Sequence, residues 1–316
     1  MDESVLVLGG CGYIGGYLTD QLQYLAYRPT VYDNLAYETR FMKKVPFIYG
    51  DIRDRPKLSK LLPHFKNVVL LAAIVGDGAC AADPFLTQSI NCDAVKWIVD
   101  NFKGKLIYMS TCSVYGVNND LIDETSTPNP LSVYASTKLE AEQYILKNRP
   151  DALVFRLGTL YGLGDAHSRI RLDLVVNILT KRAVCGEKLT VFGGDQWRPL
   201  LHVRDVARAI IHGLEYSISG LYNLSSQNAR IWEIAHAIQD LIPGCVVEKV
   251  DMSYEDQRNY RVSTAKWDAL GWQPAWMLKE GIQQIALVIQ EARIKNPADP
   301  IYSNQAAIEQ LYKRWI

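Results

Sequence analysis

Apolar residues in the first half of the chain form short continuous runs that alternate with segments of helical periodicity. Runs rich in Val, Ile and Leu predict buried strands at residues 5–8, 29–33, 47–49, 68–71, 106–109 and 152–157. Apolar residues that recur every three or four positions predict helices at residues 14–24, 84–102 and 131–147. Continuous apolar strands separated by helices are typical of a parallel sheet covered on both faces. The pattern therefore predicts an α/β fold built on a doubly wound parallel sheet.

The second half has a looser pattern. Helices are predicted at residues 168–184, 203–214 and 281–292, and strands at residues 188–192, 220–224 and 246–250. We interpret this part as a smaller C-terminal lobe interleaved with the sheet domain. The predicted sheet domain spans 1–162, with 199–225 returning to it, and the predicted lobe spans 163–198 and 226–316.

Composition narrows the classes of function. The 316 residues carry 34 basic and 34 acidic side chains, so the formal net charge is zero. A balanced charge argues against a dedicated nucleic-acid or membrane-surface partner, because such partners need a basic face. The longest strongly apolar run, residues 68–75, is far shorter than the ~20 residues that cross a bilayer. The N-terminus shows no basic segment typical of a signal peptide.

Cysteine and histidine spacing adds two expectations. The six cysteines are scattered without a CxxC pair, which predicts reduced thiols and a cytoplasmic protein. The five histidines show no HxH or HExxH spacing, so no metal site is expected.

A glycine motif follows the first predicted strand and opens the first predicted helix. Gly9, Gly12 and Gly15 have GxxGxxG spacing, with Tyr13 and Ile14 between the last two. Glycine permits a tight turn and a close backbone approach to a pyrophosphate, and the helix N-terminus favours an anion. We therefore predict that these five residues bind a dinucleotide in a Rossmann sheet. The alternative is an ordinary glycine turn.

Acidic residues follow the next two predicted strands. Asp33 ends the second strand, 18 residues after Gly15. An acid at this place hydrogen-bonds the ribose hydroxyls and repels a 2′-phosphate, which favours NAD over NADP. Asn34, Asp51 and Ile52 are placed in the same part of the cofactor site. The alternative for these positions is a solvated strand-end turn or loop.

A candidate general base lies at the start of a later helix. Tyr134 and Lys138 are four residues apart, so they share one helix face. A lysine ammonium close to a phenol favours the phenolate, which can accept a proton from an alcohol. Thr111, at a hydroxyl-rich strand end, could hydrogen-bond the same substrate oxygen. An exposed helix pair and a hydroxyl-rich turn are the structural alternatives.

Together these segments resemble the extended short-chain dehydrogenase/reductase family that acts on nucleotide sugars, which includes NAD-dependent epimerases and dehydratases. The resemblance covers nearly the whole chain. It rests on the glycine motif, Leu71-Ala72-Ala73, Asn91, Ser110-Thr111 with Val114-Tyr115-Gly116, the Tyr134/Lys138 pair, Arg198 to Asp205, and Asp256-Gln257-Arg258.

The resemblance implies an enzyme with an NAD cofactor, a Thr111/Tyr134/Lys138 triad and hydride removal at a sugar C4. It implies the following placements: cofactor contacts from Leu71, Ala72, Ala73 and Asn91, and substrate contacts from Thr111, Asn177, Arg198 and Arg258. Arginine suits a diphosphate because its planar donors match phosphate oxygens. A homodimer is also expected, formed through residues 84–102 and 131–147. These helices show more apolar residues than one sheet-facing stripe requires, for example Trp97, Ile98, Tyr144 and Ile145, and the family resemblance implies the same assembly. Surface ion pairs and a polar helix position remain the alternatives for the arginines and Asn177.

The residues after Thr111 separate branches of the family. Dehydratases carry an Asp-Glu pair where this chain has Cys112-Ser113. Decarboxylases place a glutamate at the Ser113 position, and ketosugar 3,5-epimerase/reductases place an acid cysteine there. Cys112 is one residue out of register for that role and is interpreted as a packing residue. Elimination leaves oxidation and re-reduction at C4, as in a UDP-galactose 4-epimerase-like enzyme.

Two segments depart from the usual 4-epimerase pattern: residues 76–80 and the run from Arg169 through Arg171 to Asp173. The leading interpretation is an NAD-dependent nucleotide-sugar 4-epimerase. A nucleotide-sugar 4-dehydrogenase or 4-keto reductase would use the same triad and remains open. A non-catalytic NAD sensor is disfavoured because it would not need the base. The nucleotide, the sugar and the roles of Arg169 and Arg171 are not predicted.

Overall fold

A seven-stranded parallel sheet forms the centre of the molecule, with strand order β11-β7-β5-β4-β1-β2-β3. The structure is a computed structural model that describes residues 3–38, 41–165, 167, 169–250 and 259–315. Numbered along the chain, the central strands are β1 (Ser4–Leu8), β2 (Arg28–Asp33), β3 (Phe47–Tyr49), β4 (Asn67–Leu70), β5 (Lys105–Thr111), β7 (Leu153–Leu157) and β11 (Gly220–Leu224). The predicted doubly wound α/β fold is confirmed.

Smaller sheets lie beside the central one. Strand pairing joins β12-β10-β8, β13-β9 and β14-β6. Their bounds are β6 (Val117–Ile122), β8 (Thr159–Tyr161), β9 (Leu189–Phe192), β10 (Trp197–His202), β12 (Gln227–Arg230), β13 (Val247–Val250) and β14 (Asn259–Val262).

Helices cover both faces of the central sheet and the smaller sheets. They are α1 (Gly15–Tyr24), α2 (Arg55–Leu61), α3 (Asp77–Ala82), α4 (Pro84–Gln88), α5 (Ala94–Asn101), α6 (Val133–Asn148), α7 (Val175–Val184), α8 (Val203–Glu215), α9 (Ile231–Leu241), α10 (Ala265–Asp268), α11 (Leu278–Gln290) and α12 (Asn304–Trp315). A π-helical turn, Ser89–Asp93, joins α4 to α5. Within the described residues, no helix is long and apolar enough to cross a membrane.

Successive side chains of the central strands pack in two hydrophobic cores, one on each face of the sheet. Val5 and Val7 of β1 pack with residues of α1 and α8 on one face. Leu6 and Leu8 pack with residues of α2, α5 and α6 on the other face. Because both faces are covered, successive positions of the inner strands are mostly apolar, which explains their continuous runs.

The strand order places a crevice at the carboxyl ends of β1 and β4. From β1 the chain adds β2 and β3 on one side, then crosses back to add β4, β5, β7 and β11 on the other. In open α/β sheets, ligands bind at such a switch point. The glycine motif and Thr111 both follow strands of this sheet, so the topology brings them to the same edge.

The predicted helix at 168–184 is wrong over its first part. The helix α7 begins at Val175, and Leu174 has an extended backbone. The preceding segment pairs instead with the C-terminal region, because the Leu172 amide donates to the Tyr302 carbonyl at 2.9 Å. The backbone amide of Asn304 also donates to the Asp173 carboxylate at 2.7 Å. These contacts across the chain override the local helical pattern.

The helices predicted to form a dimer contact bury some of the residues that suggested it. Ile98 and Ile145 are fully buried in the core beneath the sheet. Trp97 and Tyr144 are only partly buried, and the Tyr144 hydroxyl donates to Asp100 at 2.8 Å. The extra apolar face inferred from Ile98 and Ile145 is therefore wrong, because both side chains serve their own sheet.

His202 is buried in an aromatic cage at the end of β10. Its ring stacks on Trp276, with centroids 5.1 Å apart. Its Nδ1 accepts from the Arg204 amide at 3.2 Å, and its Nε2 lies 2.9 Å from Gln284 Oε1. Burial lowers the pKa of His202 to about 4, so the ring is neutral at neutral pH. This geometry is that of a structural histidine.

Acidification should therefore destabilise the protein through His202. The unfolded chain takes up this proton near pH 6.5 and the folded chain only near pH 4. The contribution to the free energy of unfolding is complete above pH 6.5, and about 3 kcal/mol is lost as the pH falls to 4. The free energy of unfolding, measured by denaturant titration at several pH values in this range, should depend less steeply on pH for His202→Gln than for the wild type. Replacement of the exposed His64 by Gln is the matched control and should keep the wild-type slope.

Candidate functional site

The glycine loop between β1 and α1 forms one wall of a large cleft of about 1410 Å³. Gly9 has a φ of +84°, and a Cβ there would lie 2.5 Å from the Ala72 amide nitrogen. A Cβ on Gly15 would lie 2.5 Å from the Gly10 carbonyl oxygen. Side chains at these places would fill the cradle between β1, β4 and α1, so the loop fits the close approach of a dinucleotide pyrophosphate.

The carboxylate of Asp33 organises this loop. It accepts hydrogen bonds from the backbone amides of Cys11 at 2.9 Å and Leu35 at 2.8 Å. Burial raises the pKa of Asp33, and these backbone donors partly offset the effect. Asp33 lines the cleft at the end of β2, where ribose hydroxyls could share its oxygens.

The other predicted adenosine contacts lie beside Asp33. Asn34, Asp51 and Ile52 all line the cleft. The Asn34 amide donates to the Asp51 carboxylate at 3.2 Å, and Arg53 holds the same carboxylate at 2.8 Å. These contacts lower the pKa of Asp51, although burial opposes them.

The segment after β4 forms the next part of the cleft wall, whereas Asn91 is not among the residues that line the cleft. Leu71, Ala72 and Ala73 line the cleft. Asn91 is fully buried in the π-helical turn, and its side-chain amide makes 2.9 Å hydrogen bonds to both the amide and the carbonyl of Ile74. The role of Asn91 in the cofactor site stays a prediction. Its side chain fixes the backbone that follows Ala73.

Thr111, Tyr134 and Lys138 meet in the same cleft. Thr111 ends β5, and Tyr134 and Lys138 lie in the first turns of α6, which Ser132 caps by accepting from the Ala135 amide at 3.2 Å. The Thr111 side chain acts to lower the pKa of Tyr134, which favours the phenolate. The sequence prediction that these three groups share a site agrees with this geometry.

The electrostatics of the pair differ from the simple expectation. Burial raises the pKa of Tyr134, and the largest opposing influences are the Thr111 hydrogen bond and the charge of Arg171. Burial lowers the pKa of Lys138 to about 7. The Lys138 ammonium lies over the Tyr108 ring, 4.1 Å from its centroid. Lys138 is therefore charged only part of the time at neutral pH.

Positions that distinguish branches of the family hold no acid. Cys112 is fully buried, and its thiol donates to the Arg156 carbonyl at 3.2 Å. Burial raises the Cys112 pKa, as expected for a packing residue. Ser113 lines the cleft, with its hydroxyl 3.5 Å from that of Tyr260.

The far side of the cleft is basic. Arg169, Arg171, Arg182 and Arg198 line it. Arg198 lies in β10 and donates to the Trp197 carbonyl at 2.9 Å. Arg171 forms a two-point ion pair with Asp173. The predicted Arg258 lies outside the described residues.

Asn177 does not reach the cleft wall. It is fully buried, accepts from the Gly162 amide at 2.9 Å and donates to the Arg171 carbonyl at 2.8 Å. The Tyr13 hydroxyl, 3.3 Å away, donates to the Gly162 carbonyl. The substrate contact of Asn177 stays a prediction; in the structure its amide braces the backbone at Gly162 and Arg171.

Sequence reasoning missed the C-terminal segment. Ser303, Asn304, Gln305 and Ile308 line the cleft. The Asn304 side chain donates to the Val75 carbonyl at 3.1 Å and accepts from Arg169 at 3.1 Å. No spacing rule in the sequence joins residues so far apart. The departure of residues 76–80 and 169–173 from the usual pattern was the one signal, because these segments contact α12.

Comparisons with known proteins identify relatives over nearly the whole chain. A UDP-glucose 4-epimerase from Rhizobium leguminosarum bv. trifolii is 28% identical over 315 residues, covering 89% of this chain and 95% of that protein. The solved structure of UDP-glucose 4-epimerase from Thermus thermophilus with NAD has a TM-score of 0.76 and 26% identity, covering 92% of this chain and 99% of that one.

A Bacillus cereus UDP-glucuronic acid 4-epimerase, solved with UDP-glucuronic acid and NAD, has a TM-score of 0.79 and 25% identity, covering 91% of this chain and 99% of that chain. The sequence profile of the NAD dependent epimerase/dehydratase family matches residues 5–225. With its glycine loop, its Tyr134 site and this match over most of its length, the chain belongs to the NAD dependent epimerase/dehydratase family.

Proposed function

We propose that this protein is an NAD-dependent nucleotide-sugar 4-epimerase that oxidises C4 reversibly through a 4-keto sugar. The observation that carries the proposal is one continuous cleft, which joins the glycine loop to the Thr111/Tyr134/Lys138 set and to Arg198. A dinucleotide and a nucleotide sugar need such an arrangement, because the reacting carbon must lie between the base and the hydride acceptor. The relatives that are named 4-epimerases support the same assignment.

Tyr134 is proposed as the proton acceptor. Its phenolate oxygen would take the proton of the C4 hydroxyl, and the Thr111 hydroxyl, which lines the same cleft, would orient the same sugar oxygen. The glycine loop and the residues after β4 would hold NAD, which would supply the hydride acceptor and donor for C4. Tyr134 then returns its proton to the sugar oxygen, so the residues end the cycle unchanged.

Dehydration is disfavoured by the residues next to Thr111. Elimination across C5 and C6 needs an acid and a base near the sugar. Cys112 is buried with its thiol on a carbonyl, and Ser113 has no ionisable group at neutral pH. These side chains therefore support oxidation and re-reduction at C4 but no elimination across C5 and C6.

The cofactor is proposed to lie along the switch-point wall. Gly9, Gly12, Tyr13, Ile14 and Gly15 would face its pyrophosphate. Asp33, Asn34, Asp51 and Ile52 would face the adenosine, and Leu71 to Ala73 the nicotinamide side, with Asn91 acting through Ile74.

Replacing Asp33 by Asn should reduce the preference for NAD over NADP. The Asn amide keeps one oxygen, which can accept from either the Cys11 or the Leu35 amide, and it removes the charge that repels a 2′-phosphate. The ratio of the dissociation constants for NADP and NAD, measured by calorimetry, should fall by at least about tenfold, which is equivalent to about 1.4 kcal/mol. A wild type that prefers NADP would show that the role of Asp33 is assigned wrongly.

The substrate is proposed to lie across the basic side. Arg198 and Arg258 would bind the diphosphate, and Asn177 would position Arg171 from below. We keep the division into a domain of 1–162 with 199–225 and a lobe of 163–198 with 226–316 as part of this proposal. The β11 strand and α8, which both fall in 199–225, pack on the central sheet domain and support it.

A cytoplasmic homodimer is the proposed state of the enzyme, paired through α4, α5 and α6. Phe85 of α4 is 90% exposed and Leu131 before α6 is 51% exposed, which leaves apolar area on this side. Light scattering at micromolar concentration should give twice the chain mass.

A substrate panel tests the proposed function. The purified protein is supplied with NAD and incubated with UDP-, dTDP-, CDP- and GDP-hexoses, and the products are separated by chromatography. We expect one nucleotide sugar to give its C4 epimer from either direction. Accumulation of a 4-keto sugar with equimolar reduced cofactor would identify a 4-dehydrogenase instead.

A further inference from the structure

A fully buried ion pair lies beneath the proposed base. Glu142 of α6 is 1% exposed and Arg156 of β7 is 4% exposed. The Arg156 guanidinium donates to the Glu142 carboxylate through Nη2 at 2.6 Å and through Nε at 3.1 Å. Its Nη1 donates to the Tyr115 hydroxyl at 2.7 Å. The carboxylate is therefore held at a fixed place in the core.

Glu142 lies next to both parts of the proposed catalytic set in the chain and in the sheet. Glu142 follows Lys138 by one helical turn, so the two side chains share a face of α6. Its second oxygen accepts from the Ser110 hydroxyl at 2.6 Å. Ser110 precedes Thr111 in β5 and lies opposite Arg156 in the sheet register. One carboxylate thus links α6, β5 and β7 at the point where the reactive side chains emerge.

The Glu142 carboxylate favours the charged form of Lys138. Burial lowers the pKa of Lys138 to about 7, and Cys80 and Glu142 are the groups that oppose this. Burial raises the pKa of Cys80 to about 12, so its thiol is neutral at neutral pH. On the remaining elements near Lys138, β5 presents the neutral Tyr108 ring and α3 begins with Asp77, which acts on Tyr134.

We infer that Glu142 is a positioning residue for the proposed reaction: fixed by Arg156, it favours the charged form of Lys138 on the helix that carries Tyr134 and ties the Thr111 end of β5 to α6. The inference rests on the proposed roles of Tyr134 and Lys138. Without the Glu142 charge, burial would lower the pKa of Lys138 further. The side chain would then be neutral at neutral pH and could no longer favour the phenolate.

Removal of the Glu142 charge and removal of the Arg156 charge should shift the pKa of Lys138 in opposite directions. Glu142→Gln keeps an acceptor for Ser110 and should lower the pKa of Lys138 by about 1 to 3 units. Arg156→Gln leaves the carboxylate unopposed and should raise it. The measurement is a pH titration of lysine labelled with carbon-13 at Cε, followed by NMR, with the Lys138 signal assigned through Lys138→Arg. The alkaline limb of kcat for epimerisation should move the same way in each variant.

The matched control is Glu140→Gln. It removes one acid from the same helix, but Glu140 pairs with Lys96 at the surface. This control should leave the titration of Lys138 within a few tenths of a unit. If Glu142→Gln fails to fold, the double variant Glu142→Gln/Arg156→Gln removes both buried charges, and its Lys138 pKa should still lie below that of the wild type.

The outcomes separate the two claims. An unchanged Lys138 titration in Glu142→Gln or in the double variant, or shifts of the same sign in both single variants, would overturn the inference and reduce the ion pair to a structural one. The NMR titration does not depend on turnover. A wild type that epimerises no nucleotide sugar would therefore contradict the proposed function while the role of Glu142 is still decided.

Discussion

Tyr134→Phe should reduce turnover by at least about 10²- to 10⁴-fold while NAD binding stays intact. The phenol is the proposed proton acceptor for the C4 hydroxyl and lies in the cleft within hydrogen-bonding reach of Thr111. Phenylalanine keeps the ring that packs near Cys80 and Ile74. The measurement is steady-state epimerisation together with the dissociation constant for NAD by calorimetry.

A matched substitution on the same helix separates chemistry from packing. Tyr144→Phe removes a phenol that only donates to Asp100 at the surface, so its turnover should equal that of the wild type. Turnover of Tyr134→Phe within threefold of the wild type would rule out Tyr134 as the base. Loss of NAD binding in Tyr134→Phe would show that the ring supports the cofactor instead.

Arg198→Ala should raise KM for the nucleotide sugar by about 10- to 150-fold and leave the affinity for NAD unchanged. Arg198 is buried in the cleft wall on the side opposite the glycine loop. A charge-assisted hydrogen bond to phosphate contributes roughly 1.5–3 kcal/mol, which sets this range. The same direction is expected for Arg258→Ala. Initial rates over a range of substrate concentrations give KM, and free nucleoside diphosphate should inhibit the wild type better than the variants.

Arg230→Ala provides the control, because Arg230 is exposed on the neighbouring strand β12 and does not line the cleft. Its KM should match that of the wild type. An unaltered KM in Arg198→Ala, or weaker binding of NAD rather than of substrate, would place the diphosphate elsewhere.

The parts of the site that follow from local chemistry could be predicted from the sequence. The glycine loop is one example, because Gly9 needs a positive φ and the space that Ala72 leaves. The spacing of Tyr134 and Lys138 is another, because one helix carries both. Their positions relative to each other depend on backbone geometry that a short segment specifies by itself.

Depth and distant contacts could not be predicted in this way. Sequence reasoning placed Asn91 and Asn177 in the site, yet their side-chain amides hydrogen-bond to backbone groups behind the cleft wall. Sequence spacing does not say which side of a helix meets a loop. The contribution of Asn304 depends on a hydrogen bond to Val75 across 229 positions, which only the folded chain reveals.

The environment of the Lys138 side chain could not be predicted from sequence spacing either. Four-residue spacing places it beside Tyr134, but its charge depends on burial and on Glu142, whose partner Arg156 belongs to another strand. Burial is a property of the assembled core, so the pattern of residues along the chain offered no reason to expect a pKa near 7.

The fate of the C4 hydrogen tests the central claim most directly. A nucleotide sugar labelled with deuterium at C4, from the substrate class found with the panel, is incubated with the enzyme and NAD, and both epimers are analysed by mass spectrometry and NMR. The account predicts that the product epimer retains deuterium at C4 and that no reduced cofactor accumulates, because the hydride returns to the same carbon. Deuterium transferred to stoichiometric reduced NAD, with a 4-keto sugar as the product, would contradict it.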